Sequence, residues 1–351
     1  MDKTFDYDKI EPAAPEWKVY FEGNFWGHSG KDRAGVEIKL NQQFDWAGHH
    51  WIVPTVYSCG KGLVVDFCMR AEAEDIRRFI AKWSLTAEND SAENFTQEQL
   101  MQMELDNPLD LAFSAKIALN GKTIQSSHSC AVGVIPCLPD GAANEKVAQA
   151  AATHYGLDDS YGWMIYRESY PWGRKRRPEI QSLSLTMEQQ PCRVPGPHFK
   201  THAPGDSFSF SHPVSGTEYT LTVQELERQS IPQEQFDTNR WRYPTHFTAM
   251  TYTLSPEPDD DISICDCAAG DRPLEIAPCT DGYAPEAQND IACTVVIGGT
   301  VGPAATVFGK SSQGSLRAVC SVLHFEPVAE DIEWCVEFSI VRFPNETFLL
   351  I

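Results

Sequence analysis

Residues 207–223, SFSFSHPVSGTEYTLTV, decide the fold class, because apolar and polar residues alternate on both sides of Ser215-Gly216. Successive side chains of a β-strand point to opposite faces, so this alternation is typical of a strand with one buried face. A glycine between two such segments is typical of a tight hairpin connection. The stretch therefore predicts an antiparallel hairpin, and the same pattern recurs along the chain in both directions.

Two more hairpins follow from the same argument. Residues 50–57 and 63–68 flank a glycine-rich connection, and residues 111–119 and 122–127 flank Asn120-Gly121. Asn-Gly is the strongest two-residue hairpin signal, because both residues tolerate positive φ. Further strands are predicted at 17–22, 34–40, 163–168, 179–188, 245–254, 291–297, 316–325 and 333–342.

A few short helices interrupt the strands. Apolar residues at helical spacing predict one helix over 71–83. Thr96 and Gln99 form a capping-box pattern that predicts a second helix over 97–105. The third and clearest helix is predicted over 144–155, with Asn144 as its N-cap and Gly156 as its left-handed stop; a short fourth helix is predicted to begin at Thr222.

The chain of 351 residues is long enough for two domains. We predict a mainly β fold with two β-sandwich-like halves, residues 1–142 and 157–351, joined by a connecting helix at 143–156. The proline-rich residues 191–205 predict an extended loop, and the acidic residues 255–290 predict a long surface excursion.

Charge and composition exclude several classes of protein. The formal net charge is −21, which disfavours binding to phosphate backbones and so to nucleic acid. No apolar run approaches the ~20 residues that span a bilayer, and the acidic N-terminus lacks the apolar core of a secretory signal. Eleven cysteines, an odd number, cannot all pair within the chain. Together these features predict a cytoplasmic protein with reduced thiols and no membrane partner.

A basic segment stands out against the acidic background. Residues 166–178, YRESYPWGRKRRP, contain four consecutive cations. Residues 1–173 hold 15 Lys and Arg against 25 Asp and Glu, and residues 178–351 hold 9 against 24. The segment is therefore an island of positive charge between two acidic halves.

A shorter segment, residues 239–244, repeats the combination of arginine, aromatic residue and proline. Arginine binds carboxylate or phosphate with two parallel hydrogen bonds, and a neighbouring aromatic face can stack a planar ligand. If the fold brings both segments together, they form an anion site for an acidic small molecule or protein segment. The candidate ligand-binding residues are Trp172, Arg174, Arg176, Arg177, Arg240, Trp241 and Arg242. Two alternatives remain open: ion pairing of these cations with the acidic body, and nucleic-acid binding.

The cysteines provide weaker candidates. Cys265, Cys267, Cys279 and Cys293 could supply four thiolates to a structural zinc ion, although their spacing lacks the usual C-x2-C turn. We therefore predict free thiols and no metal or cofactor. Cys130, two residues from His128, could form a Cys–His nucleophile if both side chains face one side of a strand.

Local patterns for phosphate loops, dinucleotide sites and serine nucleophiles are all incomplete. The sequence therefore predicts a non-enzymatic binding or assembly protein of unknown partner. The alternative is a hydrolase- or lyase-like enzyme whose active site is assembled from distant strands.

Two resemblances accompany these patterns. Residues 291–309, IACTVVIGGTVGPAATVFG, resemble the GGADGPT motif of β subunits of sodium-pumping decarboxylases. Val301 stands where that motif has aspartate, so the resemblance does not imply pumping. The segments FWGHSGKDRAGVEIKL, HPVSGTEYTLTVQE and CSVLHFEP resemble an uncharacterised family of cytosolic proteins from intestinal anaerobic bacteria, which implies no activity.

Overall fold

Antiparallel strands make up most of the secondary structure of the computed structural model. The structure describes residues 17–28, 30–86, 95–138, 142–173, 177–232, 241–259, 261–275, 306–311, 314–328 and 331–351. The described elements, in chain order, are β1 (Val36–Trp46), β2 (His49–Ser58), β3 (Gly62–Ala71), α1 (Ala73–Trp83), α2 (Gln97–Asp106), β4 (Phe113–Leu119), β5 (Lys122–Gln125), β6 (His128–Val134), α3 (Lys146–Tyr155), β7 (Gly162–Pro171), β8 (Leu183–Gln189), β9 (Cys192–Lys200), β10 (Ser207–Ser211), β11 (Glu218–Ser230), β12 (Trp241–Arg242), β13 (His246–Ser255), β14 (Ile262–Asp266), β15 (Leu274–Glu275), β16 (Thr306–Ser311), β17 (Gly314–Cys320), β18 (Glu333–Ile340) and β19 (Glu346–Leu349).

The chain forms two compact units that alternate along the sequence. Unit 1 comprises Met1–Asp90, Asn107–Gln190 and Phe343–Ile351, and unit 2 comprises Ser91–Asp106 and Pro191–Arg342. This differs from the predicted division at residues 142 and 157. The helix α3, predicted to connect two halves, instead packs its buried alanines against strands of unit 1.

Unit 1 contains two antiparallel sheets with one shared core. The five-stranded sheet has the order β1-β2-β3-β7-β6, and the four-stranded sheet has the order β19-β8-β4-β5. Trp51 and Phe67 from the first sheet pack with Ile117 and Leu185 from the second in a single apolar cluster. The alternating burial of β4 and β8 explains this arrangement, because every second side chain faces the core.

Unit 2 repeats the principle with different strands. Its five-stranded sheet has the order β10-β11-β13-β17-β16, and its three-stranded sheet has the order β14-β18-β9. Leu221 and Tyr252 from the larger sheet share a core with Ile264 and Trp334 from the smaller one. A separate two-stranded sheet pairs β12 with β15. The predicted mainly β fold with two sandwich-like units is therefore confirmed.

Local turn and cap signals predict the local structure well. Asn120 and Gly121 both have positive φ, at 49° and 79°, as an Asn-Gly hairpin turn requires. The Thr96 hydroxyl accepts from the Gln99 backbone N–H, and the Gln99 side chain accepts from the Thr96 N–H, which completes the capping box. Gly156 ends α3 in the left-handed conformation, at φ 63°.

Asn144 is not the cap of α3. Glu145 occupies the N-cap position without a side-chain hydrogen bond. The Asn144 amide instead bonds to the backbone N–H and C=O of Ile135, both at 2.8 Å. The Asn144 side chain therefore bonds to Ile135 in the preceding segment instead of to the N-terminus of α3.

Four further predictions are wrong in detail. Residues 17–22 form no strand, and Thr222 lies within the long strand β11 rather than at a helix start. The proline-rich residues 191–205 include β9, which is an edge strand of its sheet and therefore tolerates the missing proline N–H groups. The acidic excursion contains the half-buried strand β14. The predicted strand at 291–297 lies outside the described residues, as do Arg174, Arg176, Arg240, Cys279 and Cys293.

Candidate functional site

A pocket of about 780 Å³ lies in unit 1, beside an open edge of β4. β4 pairs with β8 along its whole length, but with β5 only from Lys116 to Leu119. Among the described strands, none pairs with the backbone of residues 113–115 on that side. The chain beyond β5 passes this edge as it enters β6, and β7 lies next to β6.

Most side chains around the pocket are polar. Only Phe113 and Ala115 among its lining residues are apolar. Hydroxyl and amide groups come from Ser114, Ser126, Ser127, Ser129, Gln125 and Gln190. Such groups both donate and accept hydrogen bonds, so the lining can satisfy a ligand that carries several polar groups.

An ion pair forms part of the pocket wall. Lys116 Nζ lies 2.5 Å from Glu188 Oε2, and both side chains are partly shielded from solvent. The two residues come from neighbouring strands, β4 and β8, of the same sheet. The ammonium group thus neutralises the carboxylate within the pocket.

Glu168 is the most buried ionisable group of the lining, at 8% exposure. Burial raises the pKa of its carboxyl group, against the opposing effect of hydrogen bonds from Tyr170 and Ser126. The neutral acid is therefore favoured over a wider pH range than for a free glutamate.

Tyr170 connects Glu168 to the backbone of β4. Its hydroxyl donates to Glu168 Oε2 at 2.8 Å and lies 3.0 Å from the Ala115 carbonyl oxygen. A tyrosine hydroxyl has one hydrogen, so the two oxygens share it. The hydroxyl thus holds the Glu168 carboxyl group against β4.

Trp172 does not belong to an exposed aromatic surface. Its side chain is 4% exposed and packs in the main core of unit 1. Its indole N–H donates to the Cys59 carbonyl oxygen at 3.0 Å. The prediction that a ligand stacks on this ring is therefore wrong.

Of the other predicted ligand-binding residues, the structure describes three. Arg177 is exposed and belongs to unit 1, whereas Trp241 and Arg242 form β12 in unit 2. The Arg242 guanidinium lies 5.0 Å from the centre of the Phe325 ring. Anion binding by Arg177, Trp241 and Arg242 stays a prediction.

The described cysteine candidates are free thiols. Burial raises the pKa of Cys130, which disfavours the thiolate that a nucleophile needs. Cys265 and Cys267 lie on and next to β14 in unit 2. Among the residues that the structure describes, no three His, Cys, Asp or Glu side chains are grouped to hold a metal ion.

The pocket was not predicted from the sequence, although one signal was present. β7 presents residues 164, 166, 168 and 170 to the core, and Glu168 is the only acid among them. An acid at a core-facing position of a strand is rare unless it is paired or functional. The remaining lining residues come from β4, from β5 to β6 with the connection between them, and from the end of β8 with Gln190. No local spacing connects these three stretches.

In the described part of the chain, no helix has both the length and the apolar character needed to cross a membrane. In comparisons with known proteins, the chain matches no family model, no curated protein and no solved structure.

Proposed function

We propose that unit 1 is a binding module for a small, neutral, polyhydroxylated molecule of the sugar class. The ligand occupies the pocket at the open edge of β4. The single observation that carries the proposal is a buried carboxyl group, Glu168, beside a neutralised Lys116–Glu188 pair in a lining rich in hydroxyl and amide groups.

The charge of the pocket supports a neutral ligand. Lys116 and Glu188 cancel each other, and a protonated Glu168 adds no charge. Lys116, the one lysine or arginine of the described lining, is already paired with Glu188, so it offers little to an anion. The earlier expectation of an anionic ligand therefore does not extend to this pocket.

The hydrogen-bonding capacity of the lining supports hydroxyl groups in particular. A sugar hydroxyl both donates and accepts, as do the serine and glutamine side chains around it. Polar groups in such a site reject an apolar ligand, because desolvating them without partners costs about 1–3 kcal/mol each.

We further infer that the protein works in the cytoplasm as a binding or assembly protein, without nucleic-acid or membrane partners. Nine free cysteines among the described residues and the net charge of −21 support this inference. Free thiols persist in a reducing compartment, and the negative charge repels nucleic acid.

The experiment is a thermal-shift and calorimetric screen with monosaccharides, disaccharides and glycerol, compared with spermidine as a cation and citrate as an anion. We expect a sugar to raise the melting temperature and to bind with measurable heat. Glu188→Gln and Ser129→Ala should weaken that binding. Glu22→Gln is the matched control, because Glu22 pairs with Lys61 on the exposed surface of the same unit. Binding of citrate alone, unchanged in the pocket variants, would contradict the proposal.

A second candidate function is acid–base catalysis in the same pocket by a hydrolase- or lyase-like enzyme. The pocket holds two carboxyl groups: burial raises the pKa of Glu168, whereas Glu188 is paired with an ammonium group. Such different environments can separate an acid from a base. Incubation with p-nitrophenyl glycosides distinguishes the two functions. Turnover that Glu168→Gln abolishes while sugar binding persists would support the enzyme, and binding without turnover would support the module.

A further inference from the structure

Three reactive side chains lie in one row across the small sheet of unit 2. In the β14–β18 register Cys265 is opposite Cys335, and in the β18–β9 register Cys335 is opposite His198. Directly opposite residues of an antiparallel pair project to the same face. The row therefore places two thiols and an imidazole next to one another.

This face is the one turned away from the apolar core. Trp334 and Val336, the neighbours of Cys335 on β18, belong to the core of unit 2, so Cys335 projects the other way. The helix α2 lies against β9 on this side. Glu98 of α2 approaches His198 Nε2 to 3.1 Å, and Glu333 approaches its Nδ1 to 3.1 Å. The imidazole is thus held between two carboxylates.

We propose that Cys265 and Cys335 are a reversible redox pair that closes to an intramolecular disulfide bond. Directly opposite residues of antiparallel strands have Cα atoms about 4.5–5.5 Å apart. A disulfide bond requires a Cα separation of roughly 4.4–6.8 Å. The backbone therefore already has the spacing that the bond needs, and the Cys265 Sγ lies 3.7 Å from the Cys335 carbonyl oxygen.

Other pairings of these thiols do not have this spacing. Cys265 and Cys267 are two residues apart along the chain, a separation of roughly 7 Å in a strand. Cys267 donates its backbone N–H to the Glu333 carbonyl, two residues from Cys335, which makes Cys267 and Cys335 diagonal neighbours. The register thus selects Cys265 and Cys335.

The two thiols have different surroundings. Cys265 is partly exposed, whereas Cys335 is fully buried. The hydrogen bond from Cys265 lowers the pKa of Cys335 against the opposing effect of burial, and the charge of His198 also lowers it. The same hydrogen bond raises the pKa of Cys265. Burial lowers the pKa of His198, but Glu333, Cys335 and Glu98 together outweigh it and raise that pKa. Because it is the partly exposed one, Cys265 is the thiol that an oxidant reaches, and the buried Cys335 is the thiol that resolves the intermediate.

The reaction with a low-molecular-weight disulfide balances in two steps. In the hydrogen-bonded pair Cys335 is the thiolate and Cys265 holds the one proton. That proton passes to Cys335, and the Cys265 thiolate attacks one sulfur of the external disulfide. The S–S bond breaks, and the first thiolate leaves and is protonated by solvent. Cys335 then loses its proton and its sulfur attacks Cys265 Sγ; the mixed disulfide breaks and the second thiolate leaves and is protonated. The two cysteines are oxidised by two electrons in total, and the external disulfide is reduced to two thiols.

The experiment uses the full chain, reduced, desalted and equilibrated with mixtures of oxidised and reduced glutathione. Free thiols are trapped with acid and N-ethylmaleimide, and a protease that cleaves after Asp and Glu separates Cys265 from Cys267 at Asp266. We expect a linked pair of peptides containing Cys265 and Cys335, with the loss of two alkylation sites, and full reversal by dithiothreitol.

Variants make the outcome decisive. Cys265→Ser, at the partly exposed position, should abolish the linked pair, and Cys192→Ser should leave it unchanged. Cys192 is the matched control, because it is a half-buried free thiol on β9 in the same unit. The mapping of the wild-type chain does not depend on whether Cys335→Ser folds. A link from Cys265 to any other cysteine, a persistent glutathione adduct on Cys265, or no link under fully oxidising glutathione would each overturn the proposal.

Discussion

Arg167 and Asp66 are cross-strand partners in the β3–β7 register, and Arg167 donates Nε and Nη2 to the two carboxylate oxygens of Asp66 at 2.9 and 2.7 Å. Both side chains are almost fully buried. Tyr155 at the end of α3 donates to Asp66 at 2.5 Å, and the ring of Phe25 lies 4.1 Å from the guanidinium. One buried ion pair thus ties a helix and the segment 17–28 to the outer face of the larger sheet of unit 1.

Removing one partner of this pair should strongly destabilise the folded protein. Asp66→Asn leaves the Arg167 charge buried without compensation, and we expect a loss of about 3–5 kcal/mol in the free energy of unfolding. Arg77→Gln on the surface of α1 is the control, since exposed pairs such as Arg77–Glu74 contribute roughly 0–1 kcal/mol. Urea denaturation measures both. Equal effects of the two substitutions would show that the buried pair is not required.

The stability contribution of Glu168 should depend on pH. Because burial raises its folded-state pKa above the ordinary value of 4.5, the folded protein binds the proton more tightly than the unfolded chain. This contribution is complete below pH 4.5 and is lost as the pH rises through the raised pKa. Glu168→Gln mimics the neutral acid at every pH. The free energy of unfolding of this variant, relative to wild type, should therefore increase as the pH rises from 4.5 through the raised pKa of Glu168.

Urea denaturation of wild type and Glu168→Gln at a series of pH values checks this prediction. Glu74→Gln, on the exposed face of α1, serves as the control and should show no comparable trend. A difference that stays constant with pH, or that favours the wild type as the pH rises, would mean that Glu168 is ionised in the folded protein.

Gly62 is required by a close approach between chain segments. A Cβ at this position would overlap with the Tyr170 carbonyl oxygen and the Phe21 ring. Gly62→Ala should therefore cost about 1–3 kcal/mol through overpacking. Gly60→Ala is the matched control, because a Cβ there meets no atom within 4 Å. Thermal unfolding should separate the two variants clearly, and a pair of equal melting temperatures would contradict the argument.

Trp172 should behave as a core residue. Trp172→Ala removes a large buried side chain and should lower the free energy of unfolding by about 3–5 kcal/mol. Trp26→Ala should cost much less, since Trp26 is 55% exposed. Chemical denaturation provides the comparison. A stable Trp172→Ala variant would restore the hypothesis that this ring serves ligand binding.

Local patterns predicted the elements whose partners lie nearby in the chain. The alternation around Ser215-Gly216 and the Asn120-Gly121 signal correspond to β10–β11 and β4–β5, and the Thr96–Gln99 capping box begins α2. The local prediction fails at Asn144, because its side chain bonds to Ile135 instead of capping α3. A local signal is overridden when a tertiary contact satisfies the same group.

By itself the sequence determined that the chain is mainly β and acidic and where its strongest turns lie, because hydrophobic period, charge and turn chemistry are properties of neighbouring residues. Only the tertiary structure decided the assembly of the two units from alternating segments, with β19 paired to β8 and β9 to β18. It also placed Trp172 in the core and Glu168 in the same pocket as the Lys116–Glu188 pair. The physical reason is that pairing between distant strands depends on how whole faces pack, and no spacing along the chain records it.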